Sequence, residues 1–453
     1  MLGFSLLNYQ KILMKNSENR SILFSSQSFY PSIGGVSTLL LNLSKYLVKL
    51  DYKISVIHLE MPSYSNSSDI ISYPIREYII PKNKITKKIY SGYALFKEEI
   101  YQNLHGIIEF KYKNIYDVPG YKEYMQLSEI YTYYLIKVLS ENNIDIVHFQ
   151  DYQVMPGISA IPSSVKTVFS LHAPLLESIN PSLSKWFLRY WQKADKVILS
   201  VPEYTKIANS FGLSENKISI IPPVIDKELM SKKIDLHIKN IIPKDGIIVS
   251  CIQRFDSKSG QEQLVKAFSK LVSKIDNVYL LLVGENSFTD SISKLRNNYF
   301  QEIKNLVSSL GITNKVIFTG NVDYSELSAI YDLSDIVVML SKMECFGLAI
   351  SEAMYKGKPV VATNVGGLAY QIKDLFNGYL VKPGDVNQTF KVLFSLCKSK
   401  KLREDLGNNG KERFNRKFDP LKIIPQYHEL YQSLFLGNIK KGINYDDIYN
   451  LLR

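Results

Sequence analysis

The chain has 453 residues, too many for one ordinary core, so two domains of about 200 residues each are expected. Hydrophobic residues make up 45% and charged residues 22%, which fits a soluble globular protein with full cores, and no apolar run approaches the ~20 residues that span a bilayer. Lys and Arg total 55 against 43 Asp and Glu, and the net charge of +12 favours anionic partners: sugar nucleotides, lipid phosphates or nucleic acid.

The first twenty residues lack a basic start and a small-residue cleavage site, so they read as an N-terminal extension rather than a signal peptide, with Met14 as a second candidate start. Ser21–Ser26 reads as a buried strand, followed by YPSIGG. From Val36 to Leu50 apolar residues recur at helical spacing (Val36, Leu39, Leu40, Leu43, Leu47, Leu50), and Tyr52–Leu59 is the next strand. This strand, glycine turn, helix and strand open a doubly wound α/β domain, with Gly34 and Gly35 where such folds bind ligands. Residues 60–125 are rich in Tyr, Lys and Ile with a basic run at Lys82, Lys84, Lys87 and Lys88; they read as a solvated insertion, with acceptor contact or peripheral membrane-surface attachment as the alternatives.

Alternation resumes with a helix over 128–142 and strands at 144–149, 166–171, 196–200 and 217–221. The first of these strands leads to Asp151 and the second to His172, which is expected at the cleft; His148 is expected to satisfy a structural hydrogen bond. Residues 227–246 read as an interdomain linker, and a second α/β series begins at 247. Its strands are 246–252, 278–283, 316–318 and 335–340, its helices 262–274, 303–310 and 325–331, and its strands lead to Arg254, to Gly284 and to Asn321. Residues 411–436 carry Phe414, Phe418, Tyr427, Tyr431 and Phe435 and are expected to form a helix that crosses back onto the first domain, with Pro420 and Pro425 as interruptions.

The most informative stretch is Ser341–Asp374. Glu344 and Glu352 lie eight residues apart around a Gly347-Leu348 helix start, and a strand (359–363) and a second glycine turn (Gly366-Gly367) follow. Free N–H groups at the two helix starts suit a polyphosphate, and the acids suit hydroxyls. In the loop after the first strand of the second domain, Arg254 and Lys258 can neutralise a departing diphosphate. No Asp-x-Asp pair stands out, so no metal site is expected. The three cysteines show no CxxC spacing, which indicates neither zinc nor a disulfide framework and points to a reducing compartment.

Taken together, GGVSTLLLNLSKYL, DIVHFQD, TVFSLHAP, IIPPVID, RFDSKSGQEQLVKAF, LLLVGE, FTGNV and MECFGLAISEAMYKGKPVVATNVGG resemble a family 4 retaining glycosyltransferase. VPEY, RFD and VGGLAYQI are similar to its trehalose synthase-like branch. The resemblance implies the GT-B fold, two Rossmann-like domains facing across a cleft: an acceptor-side domain over 21–226, a nucleotide-sugar domain over 247–415, and a returning helix and tail over 416–453. It implies transfer of a sugar from a nucleoside-diphosphate sugar to a glycan, lipid-linked or small-sugar hydroxyl in the cytoplasm, without cofactor, metal or nucleic acid. His172, Arg254, Lys258 and Glu344 would then be catalytic. Donor binding would fall to Gly34, Gly35, Arg254, Lys258, Gly284, Asn321, Glu344, Phe346, Gly347, Leu348 and Glu352, with Glu344 on the sugar and Glu352 on the ribose.

The pattern departs from the family at one place: its usual lysine, five residues after the loop arginine, is Ser259 here, and Lys258 stands one position earlier. Cys345 replaces a common glycine. The lysine shift raises a competing reading, a catalytically weak sugar-nucleotide-binding subunit of another transferase; a two-domain epimerase is the third.

Overall fold

A computed structural model of the chain describes residues 20–30, 34–60, 73–233, 245–285 and 299–436. Most of the N-terminal extension, part of the 60–125 stretch, most of the linker and the tail after residue 436 lie outside the described residues.

Two parallel sheets form the frame. The first contains β1 (Ser21–Ser25), β2 (Lys53–Leu59), β3 (Ile75–Ile80), β4 (Ile146–Gln150), β5 (Lys166–Ser170), β6 (Lys196–Leu199) and β7 (Ile218–Ile220), in the order β3-β2-β1-β4-β5-β6-β7. The second contains β8 (Ile247–Ile252), β9 (Val278–Val283), β10 (Val316–Gly320), β11 (Ile336–Met339), β12 (Val360–Thr363) and β13 (Gly378–Val381), in the order β10-β9-β8-β11-β12-β13. Central strands such as β1 and β4 are buried along their whole length, as parallel strands covered on both faces must be, and their near-continuous apolar runs follow from that. Each sheet reverses its winding once, at β1/β4 and at β8/β11. In such sheets the crevice opens beyond the carboxyl ends of the strands at the reversal.

The stretch expected as an insertion is, where described, part of the first domain. β3 is an edge strand paired along β2, and its polar alternation reflects one exposed side. Helix α1 (Gly35–Lys49) follows β1, and α2 (Lys87–Leu104) packs on α3 (Tyr121–Glu141). On α2, Tyr93, Phe96, Ile100 and Leu104 recur at helical spacing and are buried, but tyrosines and lysines between them mask the period. Thr86 caps this helix by accepting the Ile89 N–H.

The start of the expected linker is also structured: α6 (Lys227–Ser231) follows α4 (Pro181–Trp191) and α5 (Glu203–Ser210). The buried Asp226 caps α6 and accepts from Lys45 Nζ of α1 at 2.6 Å. The second domain adds α7 (Gln261–Val272), α8 (Tyr299–Ser309), α9 (Leu327–Leu333), α10 (Leu348–Tyr355), α11 (Gly366–Gln371), α12 (Val386–Lys398) and α13 (Lys400–Lys417).

The aromatic C-terminal stretch divides at residues 418–419 into α13 and α14 (Pro420–Leu436). Pro420 opens α14, where a missing N–H costs nothing, and Pro425 lies inside it. Ile423, Ile424, Tyr427 and Tyr431 of α14 join Ile22, Phe24, Ile146 and Val168 in the first domain's core. There Tyr431 Oη meets His148 Nδ1 at 2.9 Å, while His148 Nε2 meets Ser170 Oγ at 2.7 Å. Burial holds the His148 ring far below its usual pKa, so it stays neutral and uses both nitrogens as one donor and one acceptor. Tyr431→Phe is expected to cost about 1–3 kcal/mol of stability, read by chemical denaturation, because one buried partner of His148 disappears.

Candidate functional site

The carboxyl ends of the strands at both reversals face one cleft of about 430 Å³ between the domains. Every residue expected to act in catalysis or donor binding lines it: Gly34 and Gly35 at the start of α1, His172 after β5, Arg254 and Lys258 after β8. Gly284 follows β9, Asn321 follows β10, and Glu344, Phe346, Gly347, Leu348 and Glu352 follow β11.

The wall from the second domain is built on α10. Gly347 takes a left-handed backbone (φ 86°), no side chain caps the helix, and its first residues, Leu348 and Ala349, line the cleft. Glu344 lies on the preceding loop, with its Oε2 3.3 Å from Lys258 Nζ and 3.1 Å from Ser341 Oγ. Glu352 lies one turn into the helix and is 4% exposed. Burial pushes its carboxyl up to about 7, against the pull of the Tyr331 hydroxyl, which donates to Oε2 at 2.6 Å. The two acids therefore occupy different environments, one paired with a cation and one buried beside a phenol. The Phe346 ring is the exception among the expected contacts: it is 3% exposed and packs edge-on against Phe418.

The second glycine turn has a different task from the one expected. Gly367 N–H donates to Glu344 O at 3.1 Å, and a Cβ on Gly367 would lie 2.3 Å from Phe346 Cα. Gly366-Gly367 is the seat on which the Glu344 loop rests, and it does not line the cleft. Any side chain there would lift Glu344.

The lysine shift resolves locally. Ser259 is 2% exposed, and its N–H donates to Asp256 O at 2.8 Å. Gly260 follows at φ 74°, with Leu340 O only 1.9 Å from where a Cβ would stand, so the loop is pressed onto β11. Both positions are buried and line the cleft, and position 258 carries the cation, which reaches Glu344.

On the first-domain wall, the His172 Nε2–H donates to Gln150 Oε1 at 2.8 Å, and burial lowers the ring pKa to about 4, so it is neutral near pH 7. The His172 N–H donates to Asp151 Oδ1 at 3.4 Å. Asp151 was passed over as a site residue, yet it has the most telling backbone in the cleft. Its φ of 64° and ψ of −178° fall in a region nearly reserved for glycine, at a cost of about 1–3 kcal/mol. Burial raises its carboxyl to about 6. The sequence also missed Lys97, Tyr101 and His105, which bring one face of α2 into the cleft. Their spacing of four residues was the available signal. The domains touch at the cleft floor, where Cys345 Sγ reaches Ser200 Oγ at 3.6 Å and the Tyr204 hydroxyl donates to Glu344 O at 3.4 Å. Burial lifts the Cys345 thiol to about 12, so it packs as a neutral group.

Among the described residues no group of three or more His, Cys, Asp or Glu is placed to hold a metal ion, and no helix is long and apolar enough to cross a membrane.

Comparison with known proteins agrees with this geometry. Residues 33–229 match the profile of Glycosyltransferase Family 4, and residues 232–413 that of Glycosyl transferases group 1. Trehalose synthase of Thermococcus litoralis is 30% identical over 333 residues, covering 70% of this chain and 77% of that protein. N-acetyl-alpha-D-glucosaminyl L-malate synthase of Bacillus anthracis is 25% identical over 425 residues, covering 91% of this chain and 97% of the relative. Among solved structures, Anabaena HepE in complex with UDP and glucose superposes with a TM-score of 0.66 at 18% identity, over 91% of this chain and 99% of that one. The fold is that of the GT-B glycosyltransferases, and similarity to trehalose synthases agrees with the branch that the motifs resemble. Matched in both halves and sharing most of its length with a 30% identical relative, the chain belongs to the family 4 glycosyltransferases.

Proposed function

We propose that the protein transfers a sugar from a nucleoside-diphosphate sugar to a hydroxyl acceptor with retention of anomeric configuration. The observation that carries this reading is the second-domain wall, where Arg254, Lys258 and the uncapped start of α10 converge beside the two acids. Three sources of positive potential on one cleft wall suit a diphosphate, and they act most strongly where water is excluded. Lys258 would stabilise the departing diphosphate and Glu344 would hold the donor sugar. Glu352 would accept from ribose hydroxyls, and neutral His172 would contact the reacting sugar. Neither acid acts as a general base in this scheme, and phosphate charge is met by side chains and a helix end rather than by a metal ion.

The lysine shift prompted the reading as a catalytically weak partner subunit. The contact between Lys258 and Glu344 favours the enzyme, since the cation reaches the cleft from its new position. UDP-sugars are the first donors to test, because HepE was solved with UDP and glucose. The experiment is a panel of UDP-, GDP- and ADP-sugars with sugar and lipid-linked acceptors, repeated in EDTA, with product configuration read by NMR. At least one donor is expected to turn over, and Glu344→Ala is expected to lower that rate by about 10²–10³. An epimerised donor without transfer, or no turnover together with donor binding indifferent to Glu344→Ala, refutes the proposal.

A further inference from the structure

Lys258 reaches Glu344 only while the loop between β8 and α7 keeps its turn. Two contacts set that turn from within: Asp256 Oδ1 accepts the Lys258 N–H at 3.1 Å, and Asp256 O accepts the Ser259 N–H at 2.8 Å. A third ties it to the loop after β11, where Lys258 O accepts the Lys342 N–H at 2.7 Å. A fourth comes from the opposite domain: the Tyr101 hydroxyl of α2 donates to Asp256 Oδ2 at 3.0 Å. The Tyr101 ring lies 5.8 Å from Lys258 Nζ, within cation–π range.

We propose that Tyr101 is a positioning residue for the transfer reaction, holding Lys258 in register through Asp256 when the two domains are closed. The word transfer rests on the donor reading above; the mechanical link does not. One carboxylate, 4% exposed, takes the Lys258 backbone on one oxygen and Tyr101 on the other, so its orientation couples the two. A phenol donating to a carboxylate is a charge-assisted bond, among the stronger hydrogen bonds a protein makes. Because α2 belongs to the first domain and the loop to the second, separation of the domains breaks this bond and releases Asp256 to rotate. The lysine is then fully aligned only in a closed, water-poor cleft. The displaced lysine makes the brace more consequential, since the backbone of the turn at position 258 is set by its hydrogen bonds to Asp256.

Tyr101→Phe removes the hydroxyl and keeps the ring, including its 4.0 Å contact with the His105 ring. It is expected to lower kcat by ~10–100-fold through misplacement of a group at the chemistry, with little change in donor KM. In a Lys258→Met background the same change is expected to cost nothing more. Amide exchange at Lys258 and Ser259 is expected to speed up in Tyr101→Phe, with or without donor, while amides in the middle of α7 stay unchanged. A merely structural role predicts the reverse: a lowered thermal midpoint, losses that add in the Lys258→Met background, and an unaltered kcat once folding is corrected for. Unchanged exchange at the two loop amides overturns the proposal even if wild type turns over no donor, and that absence of turnover separately refutes the donor reading.

Discussion

Lys258→Ala is expected to cut donor turnover by about 10²–10³ at saturating donor, the cost typical of removing one preorganised charge partner from a transition state. The lysine side chain is 10% exposed and 3.3 Å from Glu344 Oε2, so its charge sits in a shielded place where it acts strongly. The fold should survive the change, because Glu344 keeps Ser341 Oγ at 3.1 Å and its own backbone seat on Gly367. The thermal midpoint is therefore expected to move little while kcat collapses. The reciprocal substitution separates this account from the simpler idea that the lysine is misplaced. Ser259 is 2% exposed, so Ser259→Lys buries a second cation beside Lys258 in a place packed for a serine and is expected to destabilise the protein without raising activity. A Ser259→Lys variant that folds normally and works faster would refute the local register described above.

The second large effect is on pH. Glu352 titrates near 4.5 when unfolded and is pushed up to about 7 by burial, with the Tyr331 hydrogen bond opposing. The folded state thus holds this proton more tightly than the unfolded state. The contribution is fully present below pH 4.5 and is lost as pH rises through about 7, a difference on the order of 3 kcal/mol. Glu352→Gln is expected to abolish most of that loss, so the variant gains on wild type as pH rises from about 4.5 to about 7 and keeps the gain above it, as read by thermal unfolding. Nucleotide binding should run the opposite way. Ribose hydroxyls donating to the carboxylate favour its charged form, so the affinity for UDP should weaken by up to about tenfold per pH unit below 7, and Glu352→Gln should flatten the profile. His172, already neutral with its pKa lowered to about 4, does not titrate in this window. Asp151, near 6, does titrate there, but it lies on the opposite wall, so nucleotide binding rather than turnover is the cleaner readout. A UDP profile that is flat in wild type would remove Glu352 from the ribose.

The parts of this molecule that were legible in sequence are those whose physics is local. Buried parallel strands write themselves as apolar runs, and the segment after β11 carries its acids, glycines and strand within about thirty residues. Helix α2 was not legible, because its inward face uses Tyr93 and Phe96 among lysines and its chemistry depends on Asp256, 155 residues from Tyr101. Strand β13 and helix α12 went unread as well; Gly378–Val381 is too short to stand out as a strand without its partner β12. Asp151 shows why the cleft was only partly visible: an ordinary residue type gives no sign of an extraordinary backbone. Gly366-Gly367 shows the converse, a conspicuous pair whose role is mechanical support. The lysine shift was visible but its meaning was not, since the direction of a side chain depends on the turn that carries it.

The returning helix α14 sets an order on biosynthesis. Ile22, Phe24, Ile146 and Val168 share a core with Ile423, Ile424, Tyr427 and Tyr431, which are translated roughly 200 residues after β7. The roughly 200 residues between β7 and Tyr431 take about 10–40 s to translate, during which this face of the first sheet has α1 but lacks α14. The second-domain side of the cleft, built from local elements, can form in that interval. The first-domain side is completed only when α14 arrives, so the half made first is the half finished last.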